Sequence, residues 1–165
     1  FENIFITVGT TQFNRLMEKL SEDNFYYVLK KLGCKQLTIQ FGGTGSEPKF
    51  NKILFHDIKL NVFDLKNNIL DEIRESNLVI SHAGAGSCIE ILNLEIPLIV
   101  CVNDELMDNH QVELAQQLED EKYLKSCNVH TLEETLLTFD PKLLKKYEPG
   151  NVQEFVKYLD FIMGF

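Results

Sequence analysis

The sequence has no long apolar run and no excess of positive charge, and each absence excludes a class of protein. No stretch approaches the roughly 18 apolar residues that cross a bilayer, and no basic region followed by a hydrophobic one indicates a signal peptide. The 165 residues carry a formal net charge of −9. Such a chain repels phosphate backbones. We therefore expect a soluble, cytoplasmic protein without a nucleic-acid partner.

Cysteine patterns typical of metal sites or disulfide frameworks are also missing. The four cysteines lack metal-ligand spacing and lie in or beside apolar segments, at Cys34, Cys88, Cys101 and Cys127. Small thiols of this kind are typical of a protein core in a reducing compartment. With 44% hydrophobic residues, the chain should form one domain with a substantial core. No cofactor is expected.

The most informative segment, residues 78–90, has the pattern of a buried strand, a glycine turn and the first turns of a helix. Gly84 and Gly86 let the backbone turn sharply and approach a ligand without an intervening Cβ. The first turn of the helix presents unpaired N–H groups and partial positive charge to an anion such as phosphate. Glu90 follows within the helix, where its carboxylate can accept hydrogen bonds from the vicinal hydroxyls of a sugar. The segment therefore predicts a nucleotide site.

A glycine pair alone is weak evidence, because any α/β protein needs small residues where a strand passes into a helix. A second polar loop strengthens the interpretation. The apolar strand at residues 97–102 is followed by Asn109, His110 and Gln111, where another helix should begin. Since loops after adjacent strands meet at the carboxyl edge of an open α/β sheet, both loops should face one ligand.

Strand-like and helix-like apolar spacing alternates along the chain. Strands are expected at residues 3–8, 36–41, 59–65, 78–80, 97–102 and near 123–127. Helices are expected at residues 13–20, 25–32, 67–76, from 86, from 109, at 131–139 and at 151–165. This alternation predicts an α/β fold with a doubly wound, parallel, Rossmann-like sheet. We expect a ligand-binding domain over residues 1–150 and a separate C-terminal helix over 151–165.

Two other glycine patterns are less informative. Residues 42–46 lack the lysine of a P-loop and open no helix, so we interpret them as a mobile loop. Gly84 and Gly86, with Asp104 near the end of the next strand, imitate a dinucleotide fingerprint, but Ile89 replaces its third small residue. The alternative function is therefore a regulatory module that binds NAD or a UDP-sugar, without catalysis.

Three blocks, at residues 7–11, 78–87 and 109–115, carry a resemblance to a known family. In sequence and spacing they resemble the cytosolic subunit of the two-component UDP-N-acetylglucosamine transferase of dolichol-linked oligosaccharide synthesis, which is similar to glycosyltransferase family 28. They are also similar to the donor-binding half of the bacterial transferase that makes the peptidoglycan lipid precursor. The resemblance implies the C-terminal half of a two-domain GT-B architecture, which is the half that binds UDP-sugar.

The resemblance also implies roles for individual residues. Glu90 corresponds to the carboxylate that holds the uridine ribose. The turn beneath the diphosphate corresponds to Ala85, Gly86 and Ser87, and we expect the adjacent Gly84 to belong to the same UDP-sugar site. The polar pair that contacts the N-acetylglucosamine hydroxyls corresponds to His110 and Gln111, and we expect the adjacent Asn109 to belong to the same UDP-sugar site. The bacterial relatives differ in having a glutamine where His110 stands and larger residues at the Gly86 position.

Two further candidates for the binding site each allow two interpretations. Gly9, Thr10 and Thr11 either close the crevice from the end of the first strand or form a simple turn and N-cap for the next helix. His82 is either a catalytic group that orients phosphate or sugar, or a structural histidine at a strand end.

The reaction that the resemblance implies moves N-acetylglucosamine from UDP-N-acetylglucosamine to N-acetylglucosaminyl-diphospho-dolichol with inversion. The sequence has no Asp-x-Asp pair, so the helix near Gly86 should neutralise the departing UDP and no metal is expected. A membrane-anchored subunit at the cytosolic face of the endoplasmic reticulum should bind the lipid-linked acceptor. The apolar and aromatic side chains of residues 151–165 are expected to dock that subunit.

Overall fold

The computed structural model describes residues 1–105 and 109–148, together with Lys157 and Phe161. Lys157 and Phe161 are helical. The remainder of the helix expected at 151–165 lies outside the described residues, and so does its predicted role in docking a partner. The side chains of Asn109 and His110 are likewise outside the description.

Six parallel strands form one sheet within the described part of the chain. Their bounds are β1 Asn3–Thr7, β2 Gln36–Gln40, β3 Lys59–Phe63, β4 Leu78–Ser81, β5 Leu98–Val102 and β6 Lys125–Asn128. The spatial order β3-β2-β1-β4-β5-β6 is that of a Rossmann-like, doubly wound sheet. The predicted fold class is confirmed, with β3 two residues shorter than the expected 59–65 and β6 centred slightly later than expected.

Helices connect the strands. They are α1 Asn14–Leu20, α2 Asp23–Lys31, α3 Leu70–Arg74, α4 Ala85–Asn93, α5 Asn109–Asp120 and α6 Leu132–Thr138, with short 3-10 helices at Leu54–Asp57 and Pro141–Leu143. The connection expected as a helix over 67–76 contains only the five residues of α3. No helix in the described residues has both the length and the apolar character needed to cross a membrane.

Alternating side chains of each strand supply two separate apolar layers. Ile4 and Ile6 of β1 lie in the cluster beneath α1, α2 and α6, whereas Phe5 lies in the cluster beneath α3, α4 and α5. This is the period-two alternation of a strand that is covered on both faces. All four cysteines are free thiols. Three of them are buried, namely Cys34, Cys88 and Cys101, and Cys127 is half-buried.

One part of the sheet is only partly covered, beside the five-residue helix α3. Thr38 of β2 is in register with Phe5 on one side and with Asn61 of β3 on the other. Over these outer strands the sheet forms the floor of a groove of about 260 Å³, lined by Gln36, Thr38 and Asn61 among others. The half-buried Gln36 and Asn61 are therefore explained by partial contact with solvent on this face, whereas Thr38 between them is only 8% exposed.

The topology brings the ends of β1 and β4 together. β1 and β4 are neighbours in the sheet, and Thr7 is in register with Ser81. From β1 the chain proceeds outward to β2 and β3, and it then returns to β4 on the other side. The loops after β1 and β4 therefore lead to opposite faces of the sheet and leave a crevice between them, which is where ligands bind in open α/β sheets.

The predicted N-cap of α1 is wrong. The residue that precedes α1 is Phe13, and no side chain caps the helix. Thr11 instead turns back toward its own strand, because its hydroxyl donates to the carbonyl of Val8 at 2.7 Å and its N–H donates to the same oxygen at 3.1 Å. Thr11 thus belongs to the turn after β1 and not to the helix.

Candidate functional site

The loop after β1 forms one wall of the crevice. Gly9 has φ +60°, a left-handed conformation that side-chain-bearing residues rarely adopt. Thr10 is exposed and Thr11 is half-buried. The structure therefore places Gly9, Thr10 and Thr11 at the end of β1, beside the loop after β4, as the crevice interpretation requires.

His82 lies in the crevice between two glycines. Its side chain is only 8% exposed. A Cβ atom at Gly9 would lie 2.9 Å from Cε1 of His82, and a Cβ atom at Gly84 would lie 2.5 Å from Nε2. Both distances are too short for real atoms, so the two glycines provide the space that the imidazole occupies.

The environment of His82 favours a neutral ring. Burial lowers the pKa of His82 below its ordinary value of 6.5, and the backbone carbonyl of Thr7 opposes this shift. Nδ1 of His82 and the hydroxyl of Ser81 are both buried and have no hydrogen-bond partner in the part of the chain that the structure describes. Two unsatisfied polar atoms beside one crevice are a costly arrangement in a free protein, and polar groups of a ligand could satisfy them.

Gly84 is needed for space and not for backbone freedom. Its φ of −75° and ψ of 124° are accessible to any residue. The expectation that Gly84 permits a sharp turn is therefore wrong, and the His82 ring explains the glycine instead. Gly86 differs, because a Cβ atom there would meet no heavy atom within 4 Å from the other described residues outside its own helix backbone.

The first turn of α4 presents free donors at the crevice. The N–H of Cys88 donates to the carbonyl of Gly84 at 3.0 Å and is the first hydrogen bond of the helix. The N–H groups of Ala85, Gly86 and Ser87 consequently have no acceptor within the helix. They carry the partial positive charge of the helix N-terminus and suit an anionic ligand.

Glu90 lies four residues after Gly86 on the same face of α4. Both residues are exposed. Cys88, Ile91 and Leu92 occupy the opposite, buried side of the helix. The carboxylate of Glu90 makes no hydrogen bond or ion pair within the described residues, so it is available to a ligand that also contacts the first turn of the helix.

Asn109, His110 and Gln111 are the first residues of α5. This helix follows β5, which is the neighbour of β4 in the sheet. The start of α5 at Asn109 agrees with the prediction. Gln111 is half-buried in the first turn of this helix. The contacts predicted for the side chains of Asn109 and His110 lie outside the described residues and stay predictions.

Arg15 of α1 links the loop after β5 to the loop after β6 at the same edge of the sheet. It donates to Nε2 of His130 at 3.0 Å and forms ion pairs with Asp104 at 3.8 Å and Glu105 at 3.2 Å. Asp104, the acidic residue of the apparent dinucleotide fingerprint, is thus paired with an arginine. Among the described residues, no group of three histidine, cysteine or acidic side chains is arranged to hold a metal ion.

Two buried polar residues beneath the crevice were not predicted from the sequence. The hydroxyl of Thr7 donates to Oε1 of Gln40 at 2.5 Å and accepts the N–H of Gly9 at 3.1 Å. A polar residue at the buried end of a strand, just before a glycine loop, is the signal that could have identified them.

The glycine loop at 42–46 lies against the turn after β1. Gly42 has φ +88°, and a Cβ atom there would collide with the carbonyl oxygen of Thr11. The N–H of Ser46 donates to Oδ1 of Asn14 at 2.9 Å. The loop therefore lies close to Thr11 and is hydrogen-bonded to the first residue of α1, and its mobility stays a prediction.

The chain belongs to the family described as the glycosyltransferase family 28 C-terminal domain, which it matches over residues 3–160. It is 34% identical over 154 residues to the UDP-N-acetylglucosamine transferase subunit ALG13 of Saccharomyces cerevisiae, with 75% of this chain and 76% of the yeast protein covered. The human ALG13 subunit is 41% identical over 130 residues, which cover 78% of this chain and 11% of the human protein. The chain thus spans a small part of the mammalian relatives.

The fold agrees with a solved relative. A solution structure of ALG13 determined by NMR superposes with a TM-score of 0.68 and 29% identity, and the match covers 96% of this chain and 94% of that one. The family expected from the three sequence blocks is confirmed. The matching family model describes a C-terminal domain, in agreement with the expected C-terminal half of a two-domain architecture.

Proposed function

We propose that this chain is the donor-binding subunit of a glycosyltransferase that moves N-acetylglucosamine from UDP-N-acetylglucosamine to N-acetylglucosaminyl-diphospho-dolichol. One observation carries the proposal. Among the described residues, this family 28 domain has at one crevice the free N–H groups of the first turn of α4, the unpartnered carboxylate of Glu90 and the unsatisfied ring of His82, whose pKa is lowered by burial. Phosphate, ribose and a further polar group of the donor each have a chemically suited contact there.

The diphosphate would lie at the start of α4. Ala85, Gly86 and Ser87 offer backbone N–H donors, and the open space at Gly86 allows close approach of phosphate oxygens. When the bond between the sugar and the diphosphate breaks, negative charge grows on UDP. Fixed donors and the helix dipole stabilise that charge without reorganisation. This arrangement supports a reaction that needs no metal in this subunit.

The two sugars would lie on either side of the diphosphate. Glu90 would accept hydrogen bonds from the ribose hydroxyls, and Gln111, with Asn109 and His110, would contact the N-acetylglucosamine. His82, whose ring is held between Gly9 and Gly84, would donate or accept a hydrogen bond at the diphosphate or the transferred sugar. Gly9, Thr10 and Thr11 would close the crevice from the β1 side.

The acceptor would come from a membrane-anchored partner at the cytosolic face of the endoplasmic reticulum. In an inverting transfer the acceptor hydroxyl attacks the anomeric carbon opposite the diphosphate, the bond to UDP breaks, and the proton passes to a general base. We assign that base to the partner. The name of the curated relatives, which calls them subunits, supports an assembly of this kind.

Ligand preference in solution tests the proposal. The purified chain is titrated by calorimetry with UDP-N-acetylglucosamine, UDP-glucose, NAD and ATP. We expect the highest affinity for UDP-N-acetylglucosamine. Tighter binding of NAD would favour the regulatory nucleotide module over the transferase, and no binding of any UDP-sugar would refute the donor site.

A further inference from the structure

We propose that Thr7 and Gln40 are positioning residues that hold the loop after β1 in its ligand-binding geometry. This inference rests on the proposed function, because the geometry in question is that of the donor crevice. Neither side chain reaches the ligand space, since Thr7 is 0% and Gln40 is 1% exposed. Their effect passes through Gly9 and His82.

Thr7 connects both walls of the crevice. Its hydroxyl accepts the N–H of Gly9 at 3.1 Å, and its backbone carbonyl accepts the N–H of His82 at 3.2 Å. One residue of β1 therefore fixes the first residue of the β4 loop and the left-handed glycine of its own loop.

Gln40 sets the direction of the Thr7 hydroxyl. A hydroxyl has a single hydrogen, and here it is donated to Oε1 of Gln40 at 2.5 Å. A lone pair of the same oxygen is thereby turned toward the N–H of Gly9. The backbone carbonyl of Gln40 also accepts the N–H of Val8 at 3.3 Å, so β2 supports two successive residues at the end of β1.

A small displacement of Gly9 would reach the ligand site directly. A Cβ atom on Gly9 would already lie within 2.9 Å of Cε1 of His82, so the backbone of the loop is in close contact with the imidazole. Loss of the Gly9 hydrogen bond would release this contact and let the ring take other positions. The donor would then have to restore the ordered arrangement when it binds, at a cost in affinity.

Matched substitutions separate the hydroxyl of Thr7 from its bulk. Thr7→Val keeps the shape and removes the hydroxyl, whereas Thr7→Ser keeps the hydroxyl and removes a methyl group. Gln40→Met removes the acceptor at similar length. Thr38→Val is the control, because Thr38 is an 8% exposed threonine of β2 whose hydroxyl makes no hydrogen bond within the described residues.

Calorimetry with UDP-N-acetylglucosamine and amide exchange of Gly9 followed by NMR provide independent measurements. We expect Thr7→Val and Gln40→Met to weaken donor binding by roughly five- to fifty-fold and to speed the exchange of the Gly9 amide without ligand. Thr7→Ser and Thr38→Val should stay close to the parent protein in both measurements.

The outcomes distinguish failure of the proposed donor binding from failure of the positioning role of Thr7 and Gln40. If the parent protein does not bind the donor, the proposed function fails, and the exchange data alone still test the hydrogen bond to Gly9. If the parent binds and Thr7→Val binds equally well, the positioning role is wrong. Equal losses in Thr7→Ser and Thr7→Val would assign the effect to packing and also overturn it. Should Thr7→Val not fold, Gln40→Met decides the question by the same criteria.

Discussion

Gly84 leaves no room for a side chain against His82, because a Cβ atom there would lie 2.5 Å from Nε2 of the imidazole. This contact fixes the histidine at the entrance to α4. It also explains a glycine whose backbone conformation any residue could adopt. The position of His82 and the identity of residue 84 are therefore coupled.

Alanine at the two glycines of the central motif should have opposite effects on stability. Gly84→Ala forces the His82 ring or the backbone to move and should destabilise the fold by about 1–3 kcal/mol. Gly86→Ala meets open space in a helix and should be neutral or stabilising by up to about 1 kcal/mol. Urea denaturation of both variants measures the difference. A Gly86→Ala variant less stable than Gly84→Ala would contradict the packing described here.

Glu90→Ala should weaken UDP binding by roughly ten- to a hundred-fold, because a charge-assisted hydrogen bond to ribose contributes about 1.5–3 kcal/mol. The melting temperature should change little, since Glu90 is exposed and its carboxylate makes no hydrogen bond or ion pair within the described residues. Glu134→Ala, at an exposed glutamate of α6, is the matched control. Unchanged affinity of the Glu90 variant in calorimetry would remove this residue from the site.

Gln111→Ala should alter selectivity more than overall affinity. If the amide contacts the N-acetylglucosamine, the variant should lose part of its preference for UDP-N-acetylglucosamine over free UDP. The expected change is roughly three- to ten-fold for one neutral hydrogen bond. Titration with both ligands measures the ratio. Equal losses for the two ligands would argue against a contact with the transferred sugar.

The stability of the protein should depend on pH through His82. Burial lowers the pKa of this histidine in the folded chain below 6.5, the ordinary value at which the unfolded chain takes up a proton. As the pH falls through about 6.5, the unfolded state therefore gains protons that the folded state resists, and stability is lost. The imidazole contributes no such penalty well above that pH.

His82→Asn isolates this contribution because asparagine does not titrate. Urea denaturation of both proteins between about pH 8 and pH 5 should show the parent losing more stability on acidification than the variant. Parallel pH profiles for the two proteins would mean that His82 is not held neutral.

Removal of residues 151–165 should separate donor binding from membrane recruitment. We expect the shortened chain to bind UDP-N-acetylglucosamine as before but not to sediment with membranes that contain the acceptor-binding partner, and transfer of the sugar should cease. A shortened chain that still sediments and transfers sugar would assign docking to another part of the surface.

The sequence predicts the sheet well because its strands are short apolar runs between helical segments. Residues 78–81 and 98–102 are buried throughout, so their identity as central strands follows from composition. The β1 turn was harder to predict. Thr11 can cap a helix or bond to its own strand, and only the contact with Val8 decides between the two.

The contacts around His82 could not be derived from local pattern at all. They depend on Thr7 lying in register with Ser81, which results from the return of the chain from β3 to β4. The need for glycine at position 84 is also invisible in the local pattern, because the imidazole of His82 occupies the space that a side chain there would need. Local glycine chemistry therefore explains only part of the arrangement around α4.

The register of Thr7 with Ser81 also affects the order in which the protein acquires its structure. About seventy residues separate the two strand ends, so the crevice closes a long loop and depends on non-local pairing of β1 with β4. A donor that binds there recognises only the completed fold. At a hundred times its dissociation constant it would stabilise that fold by about 2.7 kcal/mol, which links supply of the nucleotide sugar to the lifetime of the folded chain.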